Sequence, residues 1–288
     1  MSARAKVAVS DETRLRRRLA RELARDDDDE INLARVALII AAEEYPNLDI
    51  TGTIRQLDDM ALEIADRVAE ESDPHAIIGI LNWYLFEVQG FEGNESDYFD
   101  PRNNYLNEVL ARHTGIPLTL SIAYMEVAAR VGFQVEGVGF PGHFLVKHET
   151  EDGDILIDPF NKGELLDEDD CRKRLESMFG GNVEYTPRML ESATRRSMVA
   201  RLLLNLKEIY LKANDFPRAL AQVARLLLVT PDDAEEVRDR GMISYRLECY
   251  SAAVADLSRY LEMQPQAGDA KEIRETLRVL WQLESRLN

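Results

Sequence analysis

The side chains best suited to acid–base chemistry are His143 and Asp158, fifteen residues apart. His143 stands near the end of the run Gly137-Val138-Gly139-Phe140-Pro141-Gly142-His143-Phe144, where Gly139, Pro141 and Gly142 let the backbone turn tightly just before the imidazole. Asp158 closes the apolar run Ile155-Leu156-Ile157 and opens Asp158-Pro159-Phe160-Asn161. On adjacent antiparallel strands the two side chains are placed to face each other, the carboxylate accepting the imidazole proton and fixing its tautomer. That is the base-plus-orienter half of a nucleophilic triad. Histidine–aspartate hydrogen bonds are also common as purely structural devices, and spacing alone favours that plainer reading.

The elements that must position this pair are legible from periodicity. Val135, Val138 and Phe140, then Phe144 to Val146, then Ile155 to Ile157 predict three short antiparallel strands, with Glu151-Asp152-Gly153-Asp154 as the hairpin turn. Ahead of them, Pro117 to Val131 carries Leu118, Leu120, Ile122, Ala123, Met125, Val127 and Ala128 with almost no polar face, which predicts a helix buried on most sides. Pro117 suits its first position and Gly132 its end. Further upstream, Ile54, Leu57, Ala61, Ile64 and Val68 mark one buried helical face. Tyr45-Pro46-Asn47-Leu48-Asp49 and Ser72-Asp73-Pro74 separate the helices, and Gly90 to Pro101 is a loop. A helical part followed by a small antiparallel sheet is an α+β signature.

After Asp167 the pattern returns to helix and repeats itself. Tyr250 follows Phe216 by 34 residues, and Ala253/Ala219, Leu261/Leu227 and Pro265/Pro231 share that offset. Small residues where paired helices cross, with proline after the second helix, are what a tetratricopeptide unit requires. Residues 188–288 are therefore expected to be an all-α repeat tail, residues 30–187 the α+β domain, and residues 1–29 a charged arm. In that arm Arg14, Arg16, Arg17, Arg18, Arg21 and Arg25 surround Leu15, Leu19 and Leu23 before Asp26 to Asp29 reverse the sign. A basic amphipathic helix of this kind suits an acidic partner or a membrane surface, while the plainer expectation is a solvated or frayed arm.

Composition narrows the class. The net charge is −18, which argues against a protein that grips phosphate backbones with clustered Lys and Arg, so no nucleic-acid partner is expected. Two cysteines, Cys171 and Cys249, make neither a disulfide framework nor a zinc site. No apolar run reaches the roughly 18 residues of a membrane span, and the first residues lack the apolar core of a signal peptide, so a cytoplasmic protein is expected. There is no phosphate-cradling glycine loop, and neither a cofactor nor a metal is expected.

The run from Asn104-Tyr105-Leu106 through Gly115-Ile116-Pro117 to Gly139-Phe140-Pro141-Gly142-His143-Phe144 and Asp158-Pro159-Phe160 resembles the transglutaminase-like superfamily. More closely it resembles the bacterial SirB-type branch that carries tetratricopeptide repeats. The resemblance implies a buried helix presenting a nucleophilic cysteine at its start, a histidine on the next strand and an aspartate on the one after. His143 and Asp158 match the last two. At the cysteine's place the chain reads Pro117-Leu118-Thr119-Leu120-Ser121, with no thiol. Thr119 and Ser121 are hydroxyl substitutes that a helix N-terminus would help to ionise, or else side chains that simply satisfy backbone groups in the first turn. Cys171 lies beyond the third strand and is read as incidental.

Other candidates carry less. His148 falls on the face of its strand opposite any site at His143, and His75 and His113 are expected at the surface. Asn103 and Asn104 read as helix caps, with Asn104 also placed to line the cleft. Trp83-Tyr84 reads as core. Two functions follow. One is a regulatory or interaction protein whose partner is a protein or peptide, built on a fold without its nucleophile. The other is a hydrolase or acyl-transfer enzyme using His143 and Asp158 with a hydroxyl or water.

Overall fold

The computed structural model describes residues 3–287; Met1, Ser2 and Asn288, the ends of the expected arm and tail, lie outside them. The chain forms two compact units, residues 1–202 and 203–288.

The first unit begins with α1 (Ala3–Leu23), which packs along α2 (Leu33–Glu44). Leu19 and Leu23 are buried, so the C-terminal part of the charged arm is docked rather than frayed. Arg14, Arg17 and Arg21 of this helix are exposed, as an amphipathic helix requires. The acidic run that follows also has a structural task. Asp28 accepts from the backbone N–H groups of Arg195 and Arg196 and from the Arg196 guanidinium, satisfying the first turn of α8 (Arg195–Lys212).

Helices α3 (Ile50–Ala69), α4 (Pro74–Asn82), α5 (Leu106–Arg112) and α6 (Pro117–Arg130) follow in order. Their starts are dictated locally: Asn32, Asp49 and Asp73 cap α2, α3 and α4 by accepting from backbone N–H groups two or three residues ahead. Residues Trp83–Val88 extend α4 as one wide π turn. This turn leaves Trp83 at 42% exposure beneath the Arg67 guanidinium, while Tyr84 is buried, so only the second of that pair is core.

Helix α6 is the centre of the unit. It packs against α2, α3 and α5 and against the sheet, and all but Met125, Glu126, Ala129 and Arg130 of its residues are buried. Its half-exposed edge is used too. Glu126 accepts from the Ala34 N–H at 3.0 Å and holds Arg130 at 2.5 Å, which also reaches Asp58.

The sheet is antiparallel with order β3 (Glu136–Val138), β4 (Leu145–Thr150), β5 (Gly153–Asp158), β6 (Glu164–Leu166). The fourth strand, and a two-residue parallel pair β1 (Glu92–Gly93) with β2 (Thr114–Gly115), were not legible in the sequence because each is too short for an alternating pattern. Alternation sends Val138, Leu145, Leu156 and Leu166 to one face, against Cys171 and Leu175 of α7 (Glu168–Phe179). The other face meets α6.

In the second unit α9 (Phe216–Val229) packs on α10 (Ala234–Arg246), α10 on α11 (Tyr250–Met263), and α11 on α12 (Ala270–Leu287). Ala219 and Ala253 are fully buried, and a Cβ on Gly241 would meet Leu257 at 2.8 Å. Small side chains thus stand where helix axes approach, as the repeat demands. Ala253→Leu is expected to lose about 1–3 kcal/mol by overpacking against Val237 and Leu257, read as an earlier midpoint in urea unfolding followed by helical circular dichroism.

Candidate functional site

The site is built from three short pieces of chain that the sheet and α6 bring together. The first is the turn before β4. Gly142 has φ +69°, which a side chain would strain, and the His143 N–H closes the turn on the Phe140 carbonyl at 3.0 Å. His143 therefore sits in this turn rather than on the strand itself. The second piece is the end of β5, where Asp158 leads into a single 3-10 turn over Pro159–Asn161. The third is the start of α6, which packs on that turn.

His143 Nε2 donates to Asp158 Oδ2 at 2.8 Å. Asp158 is fully buried and is the most heavily bonded carboxylate of the site. Its Oδ2 also accepts from Asn161 Nδ2 at 2.8 Å and from the Arg174 guanidinium, and its Oδ1 from the N–H groups of Phe160 and Asn161. Burial alone would raise its pKa; the hydrogen bonds from His143 and Asn161 and the Arg174 charge outweigh it and hold the carboxyl below its ordinary range. An anionic aspartate fixes Nε2 as the protonated ring nitrogen. Nδ1 of His143 has no protein partner among the described residues, so the imidazole can accept a proton there.

The hydroxyls stand apart from this pair. Thr119 Oγ1 donates to the Asn103 carbonyl at 2.7 Å and accepts from the Ile116 N–H at 3.2 Å, so it acts as a splice between the start of α6 and the preceding turn. Ser121 is fully buried and its Oγ has no hydrogen-bond partner among the described residues. Neither hydroxyl is hydrogen-bonded to His143. Asn103 and Asn104 are not helix caps: they end a 3-10 turn, Pro101–Asn104, capped by Asp100, and α5 starts after Tyr105. Both are buried. Asn103 ties Asn94 and the Asp97 carbonyl together, whereas neither amide atom of Asn104 meets a partner among the described residues.

Cys171 lies in the apolar layer between sheet and α7, and burial pushes its thiol up to about 11. It is a core side chain with little thiolate at neutral pH. Cys249 is exposed. Iodoacetamide is accordingly expected to label Cys249 readily and Cys171 only on unfolding, with partner binding unchanged; peptide mapping by mass spectrometry before and after denaturation reads this directly.

His148 points away from the pair, donating Nδ1–H to the Gln134 carbonyl and stacking on Phe133. His75 is exposed. His113 is half-buried rather than exposed: it adopts φ +52°, stacks on Phe91 and bonds to the Gln89 carbonyl. Among the described residues no cluster of three or more His, Cys, Asp or Glu side chains is arranged to hold a metal ion, and no helix is long and apolar enough to cross a membrane. A cavity of about 500 Å³ between Lys147, Leu156, Glu168 and Leu190 contains neither member of the pair.

Sequence reasoning missed Arg174 and Arg201, because both come from helices outside the strand pair whose packing no local pattern reveals. Asn161 was within reach, since an amide three residues after an aspartate commonly closes back on it.

A helix-centred α+β unit carrying this pair, followed by stacked helix pairs, defines the architecture of a transglutaminase-like protein with a tetratricopeptide tail. The transglutaminase-like superfamily profile matches residues 52–204, and a tetratricopeptide repeat profile matches residues 206–278. A UPF0162 protein of Xylella fastidiosa (strain 9a5c) is 37% identical over 255 residues, 88% of this chain and 91% of the relative. One of Pseudomonas aeruginosa is 31% identical, over 80% of this chain and 83% of the relative. Protein SirB1 of Salmonella typhimurium is 26% identical, over 82% and 88%. No solved structure matches. The chain belongs to the transglutaminase-like superfamily, in its SirB-type UPF0162 branch.

Proposed function

We propose that this protein works by binding another protein or peptide in the cytoplasm, as a regulator or scaffold, and not by thiol chemistry. The observation that carries this reading is at the start of α6. Where the superfamily's thiol nucleophile would stand, Thr119 has its proton committed to the Asn103 carbonyl. The buried cysteine is a poor thiolate, and the other is outside the first unit. Tetratricopeptide repeats generally serve protein–protein contacts, which supports a polypeptide partner.

A second reading has one specific observation in its favour: the His143–Asp158 pair is assembled, with an acceptor nitrogen left over. That is sufficient for general-base activation of water in a hydrolase or acyl-transfer reaction.

The two readings separate in one experiment on the full chain. Wild type and His143→Ala are compared for partner capture, with captured proteins purified and re-tested by calorimetry, and for turnover of an activated acyl ester. The binding reading expects a saturable partner and equal, background-level ester turnover in both proteins. Turnover that falls at least about tenfold in His143→Ala would replace it with the hydrolase reading.

A further inference from the structure

Arg201 is left unexplained by the histidine–aspartate pair and by the fold's ion pairs. Elsewhere in the first unit Arg102, Arg130, Arg174 and Arg196 each sit on at least one carboxylate. Arg201, half-buried on α8, meets none among the described residues. Its terminal nitrogens rest on carbonyl oxygens instead. Nη2 donates to His143 at 2.6 Å and to Phe140 at 3.3 Å, and Nη1 makes a long contact of 3.4 Å with Phe140. A guanidinium has five N–H donors, so two remain uncommitted, the Nε–H among them. The group lies over the Phe144 ring at 5.3 Å and beside Gly139, where a Cβ would stand 3.7 Å from Nη1.

The surroundings form one continuous rim. Tyr98 feels the Arg201 charge and stands 38% exposed. It meets Phe160 edge-on at 6.3 Å, and Phe160 meets His143 edge-on at 5.8 Å. Phe99, 58% exposed, continues the row beyond Tyr98. Desolvation depresses the Arg201 pKa, and carbonyl dipoles return only part of what a counter-charge would. In a chain with 53 acidic and 35 basic residues, a half-buried cation without a carboxylate is poorly explained as a structural pairing.

We propose that Arg201, with Tyr98 and the His143 turn, recognises a carboxylate carried by a peptide, its apolar neighbour packing on the Tyr98–Phe160 row. The inference rests on reading this face of the first unit as a binding surface. The free Nε–H supplies one charge-assisted hydrogen bond to a carboxylate oxygen, and the guanidinium charge adds the attraction that a neutral amide lacks. One uncompensated positive charge suits a monoanion better than a dianionic phosphate in so acidic a chain. The carboxylate is either a chain terminus or an acidic side chain, and both present the same oxygens.

The test uses full-length protein and NMR of the Arg201 Nε–H and the His143 ring. The probes are N-acetyl-phenylalanine and its amide for the terminal source, and N-acetyl-glutamyl-phenylalanine amide and its glutaminyl counterpart for the side-chain source. In wild type, at least one acid is expected to bind about tenfold or more tighter than its neutral counterpart. The preference should vanish in Arg201→Gln and persist, weakened, in Arg201→Lys, both checked for native unfolding midpoints. Equal binding of acids and neutral counterparts would overturn the inference while leaving the binding reading intact. Absence of any shift with all four probes would overturn it as well, and the partner-capture experiment then judges the binding reading separately. The wild-type comparison decides even where a variant fails to fold.

Discussion

Asp158→Ala is expected to cost about 3–5 kcal/mol of folding stability, because it removes the buried partner of a histidine, an arginine and three further donors at once. Arg174 is 25% exposed and recovers some hydration, which places the loss toward the lower end of that range. Asp158→Asn keeps the shape and part of the hydrogen bonding and should lose less. Urea unfolding at neutral pH measures both. The pH dependence has a definite sign. The folded pKa lies below the ordinary carboxylate value of 3.8, so the ionised Asp158 contributes fully above that value and its contribution disappears as pH falls through the lower folded value. The stability gap between wild type and Asp158→Ala should therefore shrink as the solution is acidified below about pH 5. A gap that widened below about pH 5 would mean that the carboxyl is protonated in the fold.

Ile122→Ala is expected to cost about 2–5 kcal/mol, the range for deleting a fully buried aliphatic side chain whose surroundings cannot collapse. Ile122 lies mid-way along α6, the helix gripped by α2, α3, α5 and the sheet, so relaxation of one neighbour is resisted by the others. Met125 on the same helix is half-exposed, and its truncation should cost distinctly less. Equal losses at the two positions would mean that α6 is not buried on most of its sides. Thermal or urea unfolding of the two variants in parallel gives the comparison.

Much of the architecture is carried by local pattern. The near-absence of a polar face from Pro117 to Val131 requires burial, and α6 is buried. The 34-residue offset places Ala219 and Ala253 at helix crossings, and both are inaccessible to solvent. Gly142 and the proline before it require a tight turn at His143, and the turn forms there. Each of these features is settled within a few residues or within one repeat, where period and steric preference act directly.

Other features escape local pattern because their surroundings are supplied by other elements of the fold. Asn103 and Asn104 have a capping composition but are pulled inward by Asn94, the Asp97 carbonyl and Thr119. His113 has the look of a surface residue at a helix end, yet Phe91 and the Gln89 carbonyl enclose it. Trp83 has a core composition, and the wide turn that continues α4 leaves it half outside under Arg67. The arginine-rich arm has a solvated composition, yet α1 packs on α2 with Leu19 and Leu23 buried.

At the site the division is clearest. The sequence by itself determined the types and order of His143 and Asp158, the turn before one and the strand before the other, and the lack of a thiol at the start of α6. Tertiary structure alone decided that the two side chains meet at 2.8 Å, that Arg174 joins them, that Thr119 spends its proton on Asn103, and that Arg201 arrives without a counter-charge. Spacing specifies which residues share a strand or a helix face, whereas hydrogen-bond partners and local charge depend on other elements of the fold, in the case of Arg201 and the His143 carbonyl 58 residues away.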